Sequence, residues 1–141
     1  MTRKLACIML VDDNPNDNFF HERVIRKCAA ADAVVVKQSA MDALAYLRSK
    51  DGRGDALHPE LIFLDINMPG MNGWEFLAEY ERLDASCKAN VVVVILTTSD
   101  NPDDRAKAVA TNVAADYKTK PLTPKMLDEI IGKHLFPRED E

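Results

Sequence analysis

Asp12, Asp13, Asp65, Thr97 and Lys120 stand at the carboxyl ends of apolar runs scattered along the chain. LACIMLV leads into Asp12-Asp13, LIFL into Asp65, VVVVIL into Thr97, and the short AADYKTK run reaches Lys120. If these runs are strands of one open parallel sheet, their ends converge on the rim where such sheets bind ligands. Three carboxylates, a hydroxyl and an ammonium would then share a pocket. Two carboxylates about 5 Å apart repel by about 3 kcal/mol at an effective dielectric of about 20. A divalent cation would reverse that sign and leave Lys120 free to meet an anion.

Each residue alone has a plainer explanation. Carboxylates before Asn14-Pro15 suit the positive end of a helix, a lone Asp at a strand end is more often structural, Thr97 could cap a turn, and Lys120 could be solvated. The set is harder to dismiss. Oxygen ligands without His or Cys suit magnesium, which takes one or two carboxylates and a phosphate oxygen while keeping several waters. Calcium competes, because Asp65, Asn67 and Gly70 match positions one, three and six of an EF-hand loop. The match fails at Pro69 and at Phe76, where position twelve requires Glu.

These groups need a scaffold of alternating strands and helices. Apolar runs interleaved with helical periods predict repeated βαβ units and a doubly wound parallel sheet. Strands are expected over residues 5–11, 33–37, 61–64, 91–96 and 114–118, with the first, third and fourth central because their apolar runs are continuous. Helices are expected after Asn14-Pro15, with Phe20, Val24 and Cys28 at i+4 spacing; over about residues 40–49; and from about Gly73, with Phe76, Leu77, Tyr80 and Leu83 on one face. A fourth follows Asn101-Pro102 and carries Ala106, Val109 and Val113. A fifth follows Thr123-Pro124, with Met126, Leu127, Ile130, Ile131 and Leu135 in an apolar stripe. KDGRGDALHP, residues 50–59, reads as a flexible connection on the opposite rim, and the acidic tail at 136–141 as frayed.

A 141-residue chain, 47% hydrophobic, suffices for one core and is short for two. A single domain over 1–141 is expected, with its core at about 5–135. The net charge of -5 and the absence of a Lys/Arg cluster argue against direct nucleic-acid binding. Arg3-Lys4 before LACIMLV imitates a signal peptide, but the run is short and ends in two aspartates; a first strand is the better reading. No run approaches membrane-spanning length, so a cytoplasmic protein without membrane contact is expected. Three cysteines, Cys7, Cys28 and Cys87, without CxxC spacing favour packed thiols over a disulfide framework or a zinc site.

The ordered set resembles the receiver domain of two-component response regulators. That family has an acidic pair after the first strand, Asp after the third, Thr or Ser after the fourth, and Tyr or Phe followed by Lys-Pro at the fifth. Asp12, Asp13, Asp65, Thr97, Tyr117, Lys120 and Pro121 occupy those places, and LDINMPGMNGWEFL is close to the family's form. The resemblance implies a flavodoxin-like (βα)5 fold, strand order 2-1-3-4-5, a cis Lys120-Pro121 bond and no output domain. It makes Asp65 the phosphoacceptor for a sensor histidine kinase or a histidine phosphotransfer protein. It assigns Mg2+ to Asp12 (mainly through water), Asp13, Asp65 and the carbonyl of Asn67. Thr97 and Lys120 would bind phosphoryl oxygens, and withdrawal of Thr97 would let Tyr117 turn inward. That movement would repack helix 4, strand 5 and helix 5 for a downstream protein target, and leaves room for a phosphorylation-dependent dimer. The chain would then be a signalling domain, catalysing only its own phosphorylation and dephosphorylation.

Three rivals are weaker. A haloacid-dehalogenase-type phosphatase needs an acid where Asn67 stands, together with a cap domain. A flavin mononucleotide carrier needs a Ser/Thr/Gly-rich phosphate loop where DDNPND would repel the phosphate. A pseudo-receiver would have lost an acid, and none is lost. Trp74 is expected as a core anchor rather than a reporter.

Overall fold

The computed structural model describes residues 4–49, 58–88 and 91–135. Most of the 50–59 connection and the whole acidic tail lie outside them. Five parallel strands, β1 (Leu5–Val11), β2 (Ala31–Lys37), β3 (Leu61–Leu64), β4 (Val92–Thr97) and β5 (Ala114–Thr119), form one sheet in the order β2-β1-β3-β4-β5. The expected doubly wound fold is therefore present, with β1, β3 and β4 in the middle. Continuous apolar runs go to the centre because helices cover both faces there. Ile8, Ile62 and Ile95, one from each central strand, are fully buried.

Five helices flank the sheet among the described residues: α1 (Pro15–Lys27), α2 (Ala40–Arg48), α3 (Gly73–Glu81), α4 (Pro102–Ala110) and α5 (Pro124–Ile130). A further single turn, Ala85–Lys88, follows α3, and α5 continues as a π-helical turn over Ile131–Leu135. The starts follow from side-chain caps: Asn14, Ser39, Asn72, Asn101 and Thr123 each accept a first-turn backbone N–H, with Pro next at three of them. Alternate strand residues feed two cores. One holds Met9, Ile62, Ile95 and residues of α2, α3 and α4; the other holds Leu10, Phe63, Leu96 and residues of α1 and α5.

Two helices present other faces than the spacing predicts. The buried residues of α1 are Asn18, His21 and Ile25, while Phe20 is half exposed. Polar side chains take the inward face because it backs onto a polar site; of the expected stripe Phe20 turns toward solvent, while Val24 and Cys28 pack half-buried against the second core. In α4 only Ala108 is buried, Ala106 is exposed and Val109 is 83% exposed. The third and fifth helices match their stripes: Phe76, Leu77 and Tyr80 are buried, as are Leu127, Ile130 and Ile131. All three cysteines are free thiols, and burial, aided by the charge of Glu60, pushes Cys7 up to about 11.

Candidate functional site

β1 delivers Asp12 to the sheet rim, where its backbone N–H donates to the carbonyl of Lys37 at 3.1 Å. Its Oδ1 accepts from the N–H of Asn14 at 2.9 Å, and its carbonyl accepts from Asn18 Nδ2 at 2.8 Å. The first turn of α1 thus clamps the acid in place.

β3 delivers Asp65, and the loop after it is held from both ends. Ile66 and Met68 are buried in the core, and the N–H of Gly73 donates to the carbonyl of Ile66 at 3.1 Å. A Cβ on Gly73 would lie 2.5 Å from Ile66 Cα and 2.9 Å from the Asp65 carbonyl oxygen, so the approach of α3 to this loop requires glycine. Gly70, at φ +74°, makes the turn between them. An otherwise irregular segment is thereby rigid where it carries the carboxylate.

Asp12, Asp13 and Asp65 each place a carboxylate oxygen within 4.8 Å of the other two. Asp12 and Asp65 are buried, and Asp13 is nearer the solvent. Lys120 enters from the end of β5, placed by a bond from its N–H to the Thr97 carbonyl at 2.8 Å, and its bond to Pro121 is cis. Its Nζ lies 2.6 Å from Asp12 Oδ2, 2.7 Å from Asp17 Oδ2 and 3.3 Å from Asp65 Oδ2.

The charges strain against one another. Burial raises the Asp12 carboxyl above the usual carboxylate value, and the charge of Asp65 adds to it, while Lys120 and the Asn14 N–H oppose. Burial alone would lower Lys120, but its bonds to Asp12 and Asp17 and the charge of Asp65 hold it above the ordinary lysine value. The ammonium therefore stays charged at neutral pH. His21, buried beneath the rim, is lowered by burial and then by the charge of Lys120, so it stays neutral.

Thr97 is fully buried at the end of β4, its Oγ1 3.4 Å from Asn67 Nδ2 and 3.3 Å from the N–H of Ser99. The N–H of Asn67 donates to Asp65 Oδ1 at 3.2 Å. Asn67 thus bridges the β3 and β4 ends of the pocket. Tyr117 lies on β5 with its ring nearly buried, and its hydroxyl donates to the Ser99 carbonyl at 2.8 Å. The Arg105 guanidinium of α4 covers that ring at 4.8 Å.

The structure thus brings together Asp12, Asp13, Asp65 and Lys120, joins Thr97 to the pocket through Asn67, and ties Tyr117 to the segment after Thr97 through the Ser99 carbonyl. A pocket of carboxylates around one ammonium, at the switch point of a doubly wound sheet, matches a family as well as a geometry. The model of the response regulator receiver domain matches residues 8–132.

The chain belongs to that family. Response regulator Rcp1 of Synechocystis is 30% identical over 124 residues, covering 88% of this chain and 82% of that protein. The crystal structure of a two-component response regulator from Cytophaga hutchinsonii is 32% identical with a TM-score of 0.86, covering 96% of this chain and all of that one. The Mn2+-bound form of Rcp1 superposes with a TM-score of 0.73 at 27% identity, over 94% of this chain and 97% of that one. Receiver domains are generally Mg2+-dependent and take phosphoryl groups from kinases. In this receiver domain the carboxylate oxygens of Asp12, Asp13 and Asp65 lie close enough together to share one small cation.

Three pocket residues escape the sequence reading: Asp17, Asn18 and His21. They sit at i, i+1 and i+4 on α1, one inward edge of the helix. Their signal is polar residues on a helix that starts beside an acidic pair, which apolar periodicity passes over. Asn18 Oδ1 is buried with no hydrogen-bond partner among the described residues. Trp74 is only partly buried, with Lys107 of α4 at 4.9 Å from its ring. It packs against the core at its edge, as expected, and also joins α3 to α4.

Proposed function

We propose that Asp65 is the phosphoacceptor of a two-component relay and that the chain acts as a single receiver unit in the cytoplasm. A carboxylate oxygen of Asp65 attacks phosphorus in a phosphohistidine of a sensor kinase or phosphotransfer protein. The new O–P bond forms as the P–N bond breaks, and the imidazole leaves with the electron pair. Asp12, Asp13, Asp65 and the carbonyl of Asn67 would hold Mg2+, whose charge offsets that of the carboxylates and of the transferring group. Lys120 supplies the fixed positive charge from the protein side, and Thr97 supplies a hydroxyl donor at the end of β4.

What carries this reading is Lys120, its side chain only 9% exposed and within 3.3 Å of Asp65 although 55 residues separate them in the chain. Asn67, an amide two residues after Asp65, has no proton to give as an acid, so rapid turnover of phosphoesters is not expected. The only reactions catalysed are gain of the phosphoryl group and its hydrolysis. With Mg2+ and acetyl phosphate, the wild type should gain acid-labile phosphate and Asp65→Asn should gain none. Equal labelling of both would place the acceptor elsewhere.

The output runs through Thr97, Ser99 and Tyr117 to the surface of α4, β5 and α5, where a downstream protein or a second copy docks. A groove of about 600 Å³ between α4 and β5, lined by Arg105, Ala108, Val109 and Tyr117 among others, supports that route. Movement of Thr97 toward a phosphoryl oxygen would disturb Ser99, whose N–H it accepts and whose carbonyl Tyr117 holds. This is a two-state element biased by a local charge change.

A further inference from the structure

We infer that Asp104 is a latch that makes α4 follow the end of β4; the inference rests on the output route through Thr97 and Ser99. Every polar group of Ser99 is engaged. Its N–H donates to Thr97 Oγ1 at 3.3 Å, its carbonyl accepts from the Tyr117 hydroxyl at 2.8 Å, and its hydroxyl donates to Asp104 Oδ2 at 2.6 Å. The same Oγ accepts from the N–H of Asn101, the cap of α4, at 3.4 Å. One residue therefore meets β4, β5 and α4.

Little else ties α4 to that segment. Ala108 is its one buried residue, Arg105 reaches the Tyr117 ring and Thr119, and Lys107 lies over Trp74. Those contacts lead to β5 and α3. Among the described α4 side chains, only Asp104 bonds a residue that also bonds the Thr97 hydroxyl. The covalent link runs through Asp100, an exposed and distant partner of Arg105 at 3.9 Å, and exposed Asn101; their backbone can absorb a displacement of Ser99 before it reaches the helix. Bond strength decides what moves. A hydroxyl on a carboxylate at 2.6 Å is charge-assisted, roughly twice as strong as a neutral bond, and outlasts the 3.3 and 3.4 Å contacts around it. When Thr97 turns to a phosphoryl oxygen, Ser99 keeps Asp104 and α4 moves with it. Asp104 touches neither the phosphoryl group nor the metal; it is a positioning residue.

Amide hydrogen exchange over α4 in the full chain, with and without Mg2+ and beryllofluoride, tests this, and calorimetry records uptake of the anion in the same samples. Asp104→Ala should still take up beryllofluoride but retain less than about half of the wild-type exchange difference in α4. Ser99→Ala, which leaves the Asp104 charge at the helix start, should lose as much. Ser99→Thr, which keeps the hydroxyl, should respond as the wild type does. A full difference in Asp104→Ala would overturn the inference: exchange that is faster by the same amount with and without the anion is what loss of an ordinary capping bond would give. A full difference in Ser99→Ala alone would overturn it too, because the charge at the helix start and not the bond would then matter. So would a loss in Ser99→Thr equal to that in Ser99→Ala. A wild type that binds beryllofluoride with no change in α4 would remove the output route, and one that binds none would remove Asp65 as acceptor; both differ from a latch that fails.

Discussion

On the α1 side of the pocket, Asp12, Asn14, Asn18 and Lys120 are tied by bonds of 2.6 to 2.9 Å, and the Asp65 loop is wedged against α3 with no room for a methyl group on Gly73. On the β4–β5 side, α4 buries one residue and leaves Val109 in solvent, β5 shifts register against β4 between Val93 and Val94, and the Thr97 side chain meets the Asp65 loop through a 3.4 Å contact with Asn67. The first region is over-determined and holds reacting groups in place. In the second, β4 is buried but α4 packs on it through Ala108 alone, so that helix can change place at low cost. A receiver needs both, because the chemistry requires fixed charges and the signal requires a surface with two arrangements.

Substitutions on the two sides should therefore separate acceptance from output. The largest effect is expected for Lys120→Met, which strips the buried carboxylates of their counter-charge; it should cost about 3 kcal/mol in urea unfolding without metal and abolish beryllofluoride uptake. A variant with wild-type stability and uptake would show that the lysine is incidental. Next, Gly73→Ala pushes Ile66 and the Asp65 carbonyl apart, at about 1–3 kcal/mol, with a matching loss of labelling by acetyl phosphate. Full labelling there would mean that the Asp65 loop is not positioned by α3.

The strands were legible because burial on both faces leaves only apolar residues, as in Ile62 and Phe63. Asp12, Asp13, Asp65, Thr97 and Lys120 were legible because strand ends in a parallel sheet share a rim, whereas Asn67 and Tyr117 were singled out by the family resemblance alone. The α1 contribution was not legible. Asn18 and His21 point inward against their polarity, and Asp17 counts as an ordinary first-turn acid until Lys120 is known to be beside it. The face of α4 was misjudged for the opposite reason: Ala106 and Val109 look like core and lie outside.

On the output side the effects are smaller and should spare labelling. Tyr117→Phe removes the bond to the Ser99 carbonyl, worth about 1 kcal/mol, and should leave acetyl phosphate labelling intact. The tryptophan fluorescence change on adding beryllofluoride should shrink, because Trp74 reports on α4 through Lys107. A labelling defect would break the division between the two regions. The smallest effect concerns Asp116 on β5. Burial would raise its carboxyl, but the bonds from His134 at 3.0 Å and from the Tyr117 N–H, with the charge of Lys118, hold it below the usual value. A depressed carboxylate contributes stability above the ordinary value of about 3.9 and loses it as the pH falls through the lower folded value. Asp116→Asn should therefore flatten the acid limb of the stability curve by less than about 1 kcal/mol, visible in urea titrations between about pH 5 and pH 2. An unchanged limb would remove Asp116 from the interactions that hold the β5–α5 surface.

The central claim is that Asp65 carries the phosphoryl group. Mass spectrometry of the wild type after incubation with Mg2+ and acetyl phosphate, with borohydride trapping of the acyl phosphate, reads it directly. The account predicts one modified residue, Asp65, and no modification when Mg2+ is chelated. A trapped group on Asp12, Asp13 or Asp17, or labelling of equal extent without the metal, would contradict it.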